Sequence, residues 1–498
     1  MAKSKEEIKE VYDARKLGVP RMLILGIQHM FAMFGATVLV PALTGLPVQV
    51  TLLFAGLGTL LFHWISKWKV PAFLGSSFAF IAGYAAISAA APKGVNALPY
   101  ACFGVACAGF VYLILAALIK IFGVNRVMNF FPPIVTGPII IAIGLTLSKS
   151  AVDNCSTDWL VAVIAILIVV ICNVSGKGMI KIIPIIIGVI GSVAVAVVLA
   201  VIFGKTITGA DGAEYITILG SENLRLFSTE GINAIKDAPW VGIPVHYEDT
   251  VFSIFTNTDS KLLITSVITI VPIALATIVE HIGDISAISS TVHRNFLEDP
   301  GLHRTLTGDG LATIVASLFG APANTTYGEN TGVLTLSRVY DPRVIRIAAG
   351  FAVLFSFSPK LAACISAIPT PVMGGISLVL YGMISAIGVR NVVENQVDFG
   401  KVRNVIIAAI ILVLSIGVTY STAGSIDIPC GKFVISLSGL AVGSLTGIIM
   451  NAFLPEKDYV FNGSDLKTLR KEEILEDSES INASDESDID YVPDDSDQ

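Results

Sequence analysis

The chain has 498 residues, 54% of them hydrophobic and only 14% charged, with a formal net charge of −7. Soluble domains carry about a quarter charged residues, so a water-facing globular fold is excluded and lipid must solvate much of the surface. The negative balance is local, because Glu472 to Gln498 hold 12 carboxylates and no Lys or Arg, which leaves the remainder slightly basic.

Residues Met1 to Arg21 are polar and basic, with no cleavage site ahead of an apolar stretch, which argues against a secretory leader. Beyond them, apolar runs fall at 22–45, 48–66, 72–92, 98–122, 132–149, 159–174 and 182–203, and again at 261–290, 308–320, 326–339, 344–366, 371–389, 403–421 and 432–453. A run of about 20 apolar residues crosses a hydrocarbon layer roughly 30 Å thick. The pattern therefore predicts an all-α polytopic membrane protein with 14 transmembrane segments. An even number puts both termini on one side. Placing that side in the cytoplasm leaves 24 of the 32 Lys and Arg inside, Lys67, Lys69, Arg126, Arg294 and Arg343 among them, as retention of positive charge requires.

Two places break the regular pattern. The third run opens on VPAFLGSSFAF from Val70, and the ninth and tenth runs are short and interrupted by glycine in GDGLATIVASLFGAPANTTYGENTGVLTLS from Gly308. Non-helical backbone survives at membrane depth only where protein or a cavity covers it, so discontinuous helices are expected there. FPPIVTGPIIIAIGL from Phe131 resembles IPTPVMGGISLVLYG from Ile368, with Pro133 and Gly137 recurring as Pro371 and Gly375. Two seven-span repeats follow, and because seven is odd the second copy must be inverted. The expected organisation is a cytoplasmic N-terminus (1–21), a first repeat (22–203), an extracellular linker (204–260), a second repeat (261–453) and a disordered acidic cytoplasmic tail (454–498).

Four carboxylates lie within or beside the apolar runs: Glu280, Asp284, Asp309 and Glu329. Each costs a few kcal/mol near the bilayer centre unless protonated, paired or hydrated, so a functional role is expected for Glu280 and Glu329, while a structural and a functional role stand equally for Asp284 and Asp309. Glu280 and Asp284, four apart, share one helix face. Two acids so placed resist ionising together, and one can then carry a proton. His281 projects away from them and is read as a packing or hydrogen-bonding residue. Glu329 follows Gly328 ahead of a short helix expected over 330–339, whose unpaired first amides carry partial positive charge. The facing element around Ser77, Phe78 and Ala79 offers more amides and a ring for a flat ligand. Acceptors beside donors suit the edge of a planar imide. The six cysteines show no disulfide or zinc spacing, so neither metal nor cofactor is expected. No Ser/Lys dyad, nucleophile elbow or HExxH points to an enzyme.

These segments carry a resemblance. QHMFAMFGATVLVP from Gln28, PAFLGSSFAFI from Pro71, EHIGD from Glu280, DPGLHRTLTGDG from Asp299 and NTTYGENTGVLTLSRVY from Asn324 resemble the nucleobase/ascorbate transporter (nucleobase:cation symporter) family, nearest its bacterial uracil permease branch. The resemblance implies core and gate domains, with substrate held between short antiparallel strands in the third and tenth segments. It implies side-chain binding by Glu280 and Glu329, backbone binding by Phe78 and Gly328, and Tyr327, Tyr381 and His29 lining the site. Glu280, Asp284 and Asp309 are the candidates for proton coupling. The implied function is import of uracil with protons across the cell membrane by alternating access. A small nucleobase, protons, the lipid bilayer and a second copy in a homodimer are the expected partners, and nucleic acid is not. Two positions depart, since that branch has His at 284 and Asn at 309. Acids at both resemble the purine-carrying branch, which leaves a xanthine or other purine symporter as the alternative and an anion carrier of related fold behind it.

Overall fold

A computed structural model describes residues 10–456 except 178, 210, 211, 222, 223, 257, 431 and 432. All but the first three residues of the expected acidic tail therefore lie outside the described residues. Among those described, eight helices are long and apolar enough to cross a bilayer, from Val19–Thr44 to Val402–Thr419. Ile81–Ala90, Trp159–Ser175 and Gly439–Phe453 are shorter apolar helices. Side chains such as Val174 and Val201 are largely exposed on their helices, a surface that suits acyl chains rather than water.

The two expected breaks meet. Strand β1 (Leu74–Ser76) precedes the helix Ile81–Ala90, and a second short strand (Asn324–Thr326) precedes the helix Gly328–Ser337. They pair antiparallel, Leu74 opposite Thr326, Gly75 opposite Thr325 and Ser76 opposite Asn324. All six residues are buried, so each polar group needs a partner inside the protein. Neighbouring spans supply several. Leu74 N–H donates to Thr59 Oγ1 at 2.9 Å and Asn324 Nδ2 to Phe54 O at 3.0 Å, both on the second span. Ser76 Oγ donates to Thr37 O at 3.0 Å on the first. The ladder continues with Ser77 N–H to Ala323 O at 2.9 Å and Tyr327 N–H to Phe73 O at 3.1 Å.

The linker has a fold of its own. Strands β2 (Gly204–Thr208), β3 (Glu214–Ile218) and β4 (Arg225–Ser228) form an antiparallel meander followed by the helix Thr229–Asp237. In chain order the strand Asn324–Thr326 is therefore β5. Before the first span the chain folds back on itself. Val11 N–H donates to Arg338 O at 2.8 Å and Tyr340 N–H to Val11 O at 2.9 Å, while Ala14 N–H donates to buried Asp341 Oδ2 at 2.7 Å. Asp13 bonds Arg15, and Arg343 lies 3.1 Å from it. This clasp joins residues 10–17 to the chain just after the helix of the tenth segment.

Four expectations change. The ninth run is one unbroken helix, Leu302–Leu318. Its glycines are contact points and not breaks: a Cβ on Gly308 would lie 2.9 Å from Phe62 Cδ2, and one on Gly310 2.6 Å from Tyr112 Cβ. The helix of the tenth run begins at Gly328, two residues earlier than expected. The eleventh run is not one rod, since Pro342–Ser356 and Pro359–Ser366 meet at 88°. Pro359 lacks an N–H to continue the first helix, and Ser358 Oγ caps the second by accepting from Leu361 N–H at 3.3 Å. The fourteenth begins as strand: β7 (Phe433–Ser438) pairs with β6 (Ser425–Cys430), and the helix starts only at Gly439.

Candidate substrate site

The helical stretch Ser260–Val292 carries Glu280 and Asp284. Both are half-buried, while His281 between them is fully buried and faces the other way. Its Nδ1 lies 2.8 Å from Oδ2 of fully buried Asp309. Neither atom finds an aligned hydrogen bond, so the two groups meet as a close polar contact. Asp309 thus sits with His281, on the helix side away from the Glu280 face.

Asp284 meets the tenth segment. Thr326 Oγ1 donates to Asp284 Oδ2 at 3.0 Å, and a Cβ on Gly328 would lie 3.6 Å from Asp284 Oδ1 and 3.7 Å from Ile387 Cδ1. A carboxylate there faces a helix start, where the first amides lack intrahelical acceptors and favour negative charge. Glu329 is the second residue of that helix; its side chain lies outside the described residues. On the facing element, Ser77 N–H is committed to the ladder, which removes it from the expected set of free amides. Phe78 and Ala79 follow it, and among the described residues their N–H groups have no backbone acceptor.

Phe78 and Tyr381 are buried, with ring centres 5.8 Å apart and planes at 79°. This edge-to-face contact joins the third segment to the helix Thr370–Glu394. Buried His29 holds the tenth segment from the first span: Asn330 Nδ2 donates to His29 O at 3.3 Å and lies 3.3 Å from its Nδ1. Tyr327 is tied to the facing strand. Its hydroxyl donates to Ser76 O at 2.8 Å and accepts from Thr37 Oγ1 at 3.4 Å, with its ring lying against Gly75. The side chain is thus a tie between the two strands.

A crevice lined by Ala79, Ile143, Thr146, Ile273 and Leu440 includes none of Glu280, Asp284 and Asp309 in its lining. The polar groups, and not that crevice, define the candidate site. Sequence reasoning missed Thr326, although a hydroxyl two residues before Gly328 in NTTYGENTG was the available signal. No group of three or more His, Cys, Asp or Glu able to hold a metal occurs among the described residues.

Two interrupted elements that meet inside a bundle of apolar spans, beside half-buried acids and helix starts, define a membrane carrier. The chain belongs to the Permease family, whose pattern matches residues 20–424. It is thus a multi-pass membrane transport protein rather than an enzyme. It is 37% identical to the uracil permease of Bacillus caldolyticus over 446 residues, 88% of this chain and 93% of that protein. With the uracil permease of Escherichia coli (strain K12) it shares 33% over 472 residues, 93% and 95% of the two chains. In shape it is similar to the transmembrane domain of a cyanobacterium bicarbonate transporter, BicA, with a TM-score of 0.57 at 13% identity over 90% of this chain and 100% of that one. The murine Solute Carrier 26 family member A9, an anion transporter, gives 0.53 at 12% over 91% and 73%. At such identity the likeness concerns the fold alone.

Proposed function

We propose that this permease imports uracil with protons across the cell membrane by alternating access. The observation that carries the reading is Asp284, on one helix face with Glu280, set against the start of the helix Gly328–Ser337 beside the β1–β5 crossing. An imide edge presents carbonyl oxygens and N–H groups together. Glu280 and Glu329 accept from the N–H groups, and the backbone amides of Phe78 and Gly328 donate to the carbonyls. Tyr381 and His29 close the sides, and Tyr327 holds the strand. Glu280 and Asp284 hold the coupled proton, with Asp309 acting through His281. The relatives named uracil permease support this substrate.

The architecture that goes with it is a 7+7 inverted repeat of 14 segments, in which the short and bent helices count as spans. We divide it as 22–203 and 261–453 around the linker 204–260, with core and gate domains and both termini, 1–21 and 454–498, in the cytoplasm. The working unit is a homodimer. A second reading, a xanthine or other purine symporter, rests on the acids at 284 and 309. Labelled uracil uptake into proteoliposomes under an imposed pH gradient tests the proposal. Uptake indifferent to that gradient but fully responsive to sodium overturns proton coupling, and displacement of bound label by xanthine with none by uracil moves the substrate.

A further inference from the structure

Part of the linker expected outside the cell presents an apolar surface. Trp240, Val241 and Ile243 are 74%, 77% and 74% exposed. Three such neighbours left in water forgo the favourable free energy of burial, so the patch calls for a cover.

The loop that carries them is firmly moored. Gly242 N–H donates to Phe357 O at 2.9 Å, and Lys360 N–H donates to Pro239 O at 3.0 Å. Lys360 Nζ reaches the carbonyls of Ile235, Lys236 and Ala238 at 2.5, 3.1 and 3.3 Å. Those carbonyls end the helix Thr229–Asp237, where the helix dipole favours a cation. The same ammonium lies 5.8 Å from the centre of the Trp240 ring. A Cβ on Gly242 would fall 2.6 Å from Pro359 Cγ, so the loop rests directly on the bend of the eleventh run.

That contact sets its depth. The helix Pro342–Ser356 leaves Leu354 and Phe357, at its end, 63% and 41% exposed. On a bilayer-crossing helix such side chains face acyl chains. At about 1.5 Å of rise per residue, Phe357 lies roughly 4.5 Å beyond Leu354 along the axis. The loop bonded to Phe357 therefore stands just beyond the last exposed apolar side chains of that helix. Tryptophan favours the headgroup boundary, and the exposed Lys236 complements phosphates there.

We infer that Trp240, Val241 and Ile243 insert into the headgroup boundary of the leaflet on the linker's side, fixing the bend of the eleventh run to lipid. The partner is the phospholipid leaflet itself, and the inference does not depend on the transported substrate.

The test compares the full-length protein with Trp240→Phe in liposomes, with or without lipids brominated near the carbonyl end of their acyl chains. The difference in emission between the two proteins isolates Trp240, one of four tryptophans. Brominated lipid is expected to quench that difference by roughly half or more, as an interfacial indole requires, with aqueous iodide nearly without effect. Iodide quenching without bromolipid quenching would overturn the inference by placing the loop in water. Quenching by neither, with a difference that changes on dilution of protein in the membrane, would overturn it in favour of a second copy. Val241→Asp with Ile243→Asp should abolish the bromolipid effect, and its persistence would equally refute the anchor.

Discussion

Gly75→Ala presses directly on the strand crossing. A Cβ at Gly75 would stand 2.4 Å from Tyr327 Cε2, 2.5 Å from Tyr327 Cζ and 2.7 Å from Thr37 Oγ1. Carbon atoms in ordinary contact sit about 3.5–4.0 Å apart, so the ring must retreat by about 1 Å. It cannot do so and keep its 2.8 Å hydrogen bond to Ser76 O. Overpacking costs about 1–3 kcal/mol, and a buried bond left unmade about 1–3 kcal/mol more, so the expected loss of stability is about 2–6 kcal/mol. Because the tie spans both strands, uracil affinity should fall as well, by about tenfold for each 1.4 kcal/mol that reaches the site. Thermal unfolding of the purified protein and equilibrium binding of labelled uracil measure the two effects. Gly350→Ala and Gly417→Ala are the controls, since a Cβ at either meets nothing within 4 Å. Both should be neutral or stabilising by up to about 1 kcal/mol. A Gly75→Ala protein that melts with the controls and binds uracil unchanged would refute the argument.

Thr59→Val keeps the shape of the second span but removes the acceptor of Leu74 N–H at 2.9 Å. We expect a loss of about 1–3 kcal/mol, read as a lowered unfolding temperature. Glu280→Gln should keep the fold, because the residue is half-buried, yet abolish uracil accumulation driven by a pH gradient. Accumulation at the normal level would remove it from coupling. The clasp before the first span has a defined acid limit. Hydrogen bonding from Arg15, reinforced by Arg343, lowers the Asp13 carboxyl from 3.8 to about 2. A depressed carboxylate stabilises above its ordinary value and loses that contribution as pH falls through the folded value. The protection factors of the amides over residues 11–15, their exchange rates relative to the unstructured rate at the same pH, should therefore hold from neutral pH down to about 4 and fall between about 4 and 2, whereas a fall already near pH 6 would contradict the assignment.

The broken spans were legible because PAFLGSS and PANTTYG place proline, glycine and hydroxyls where a continuous helix would need none. The pairing of Glu280 with Asp284 on one face followed from their spacing alone. What the sequence withheld depends on partners distant in the chain. His281 could be placed away from Glu280 by periodicity, but nothing local to it names Asp309 as its neighbour. Gly308 and Gly310 looked like interruptions because glycine serves breaks and close helix contacts alike, and only Phe62 and Tyr112 decide between them. The bond from the Tyr327 hydroxyl to Ser76 O joins residues 251 apart in the chain, and nothing near either one announces it. The bend at Ser358 and Pro359 was written in plain residues, yet hydropathy reports how long an apolar run is and says nothing of its direction.

Leu74–Ser76 and Asn324–Thr326 come from opposite halves of the chain, yet they are laced by their own ladder, by Tyr327 and by bonds to the first two spans. Neither strand can slide past the other without stranding peptide groups in a dry interior. Any rearrangement within the bundle must therefore carry both arms together as one solid block, and whatever flexes has to lie beyond this ribbon, in the connections that lead away from it.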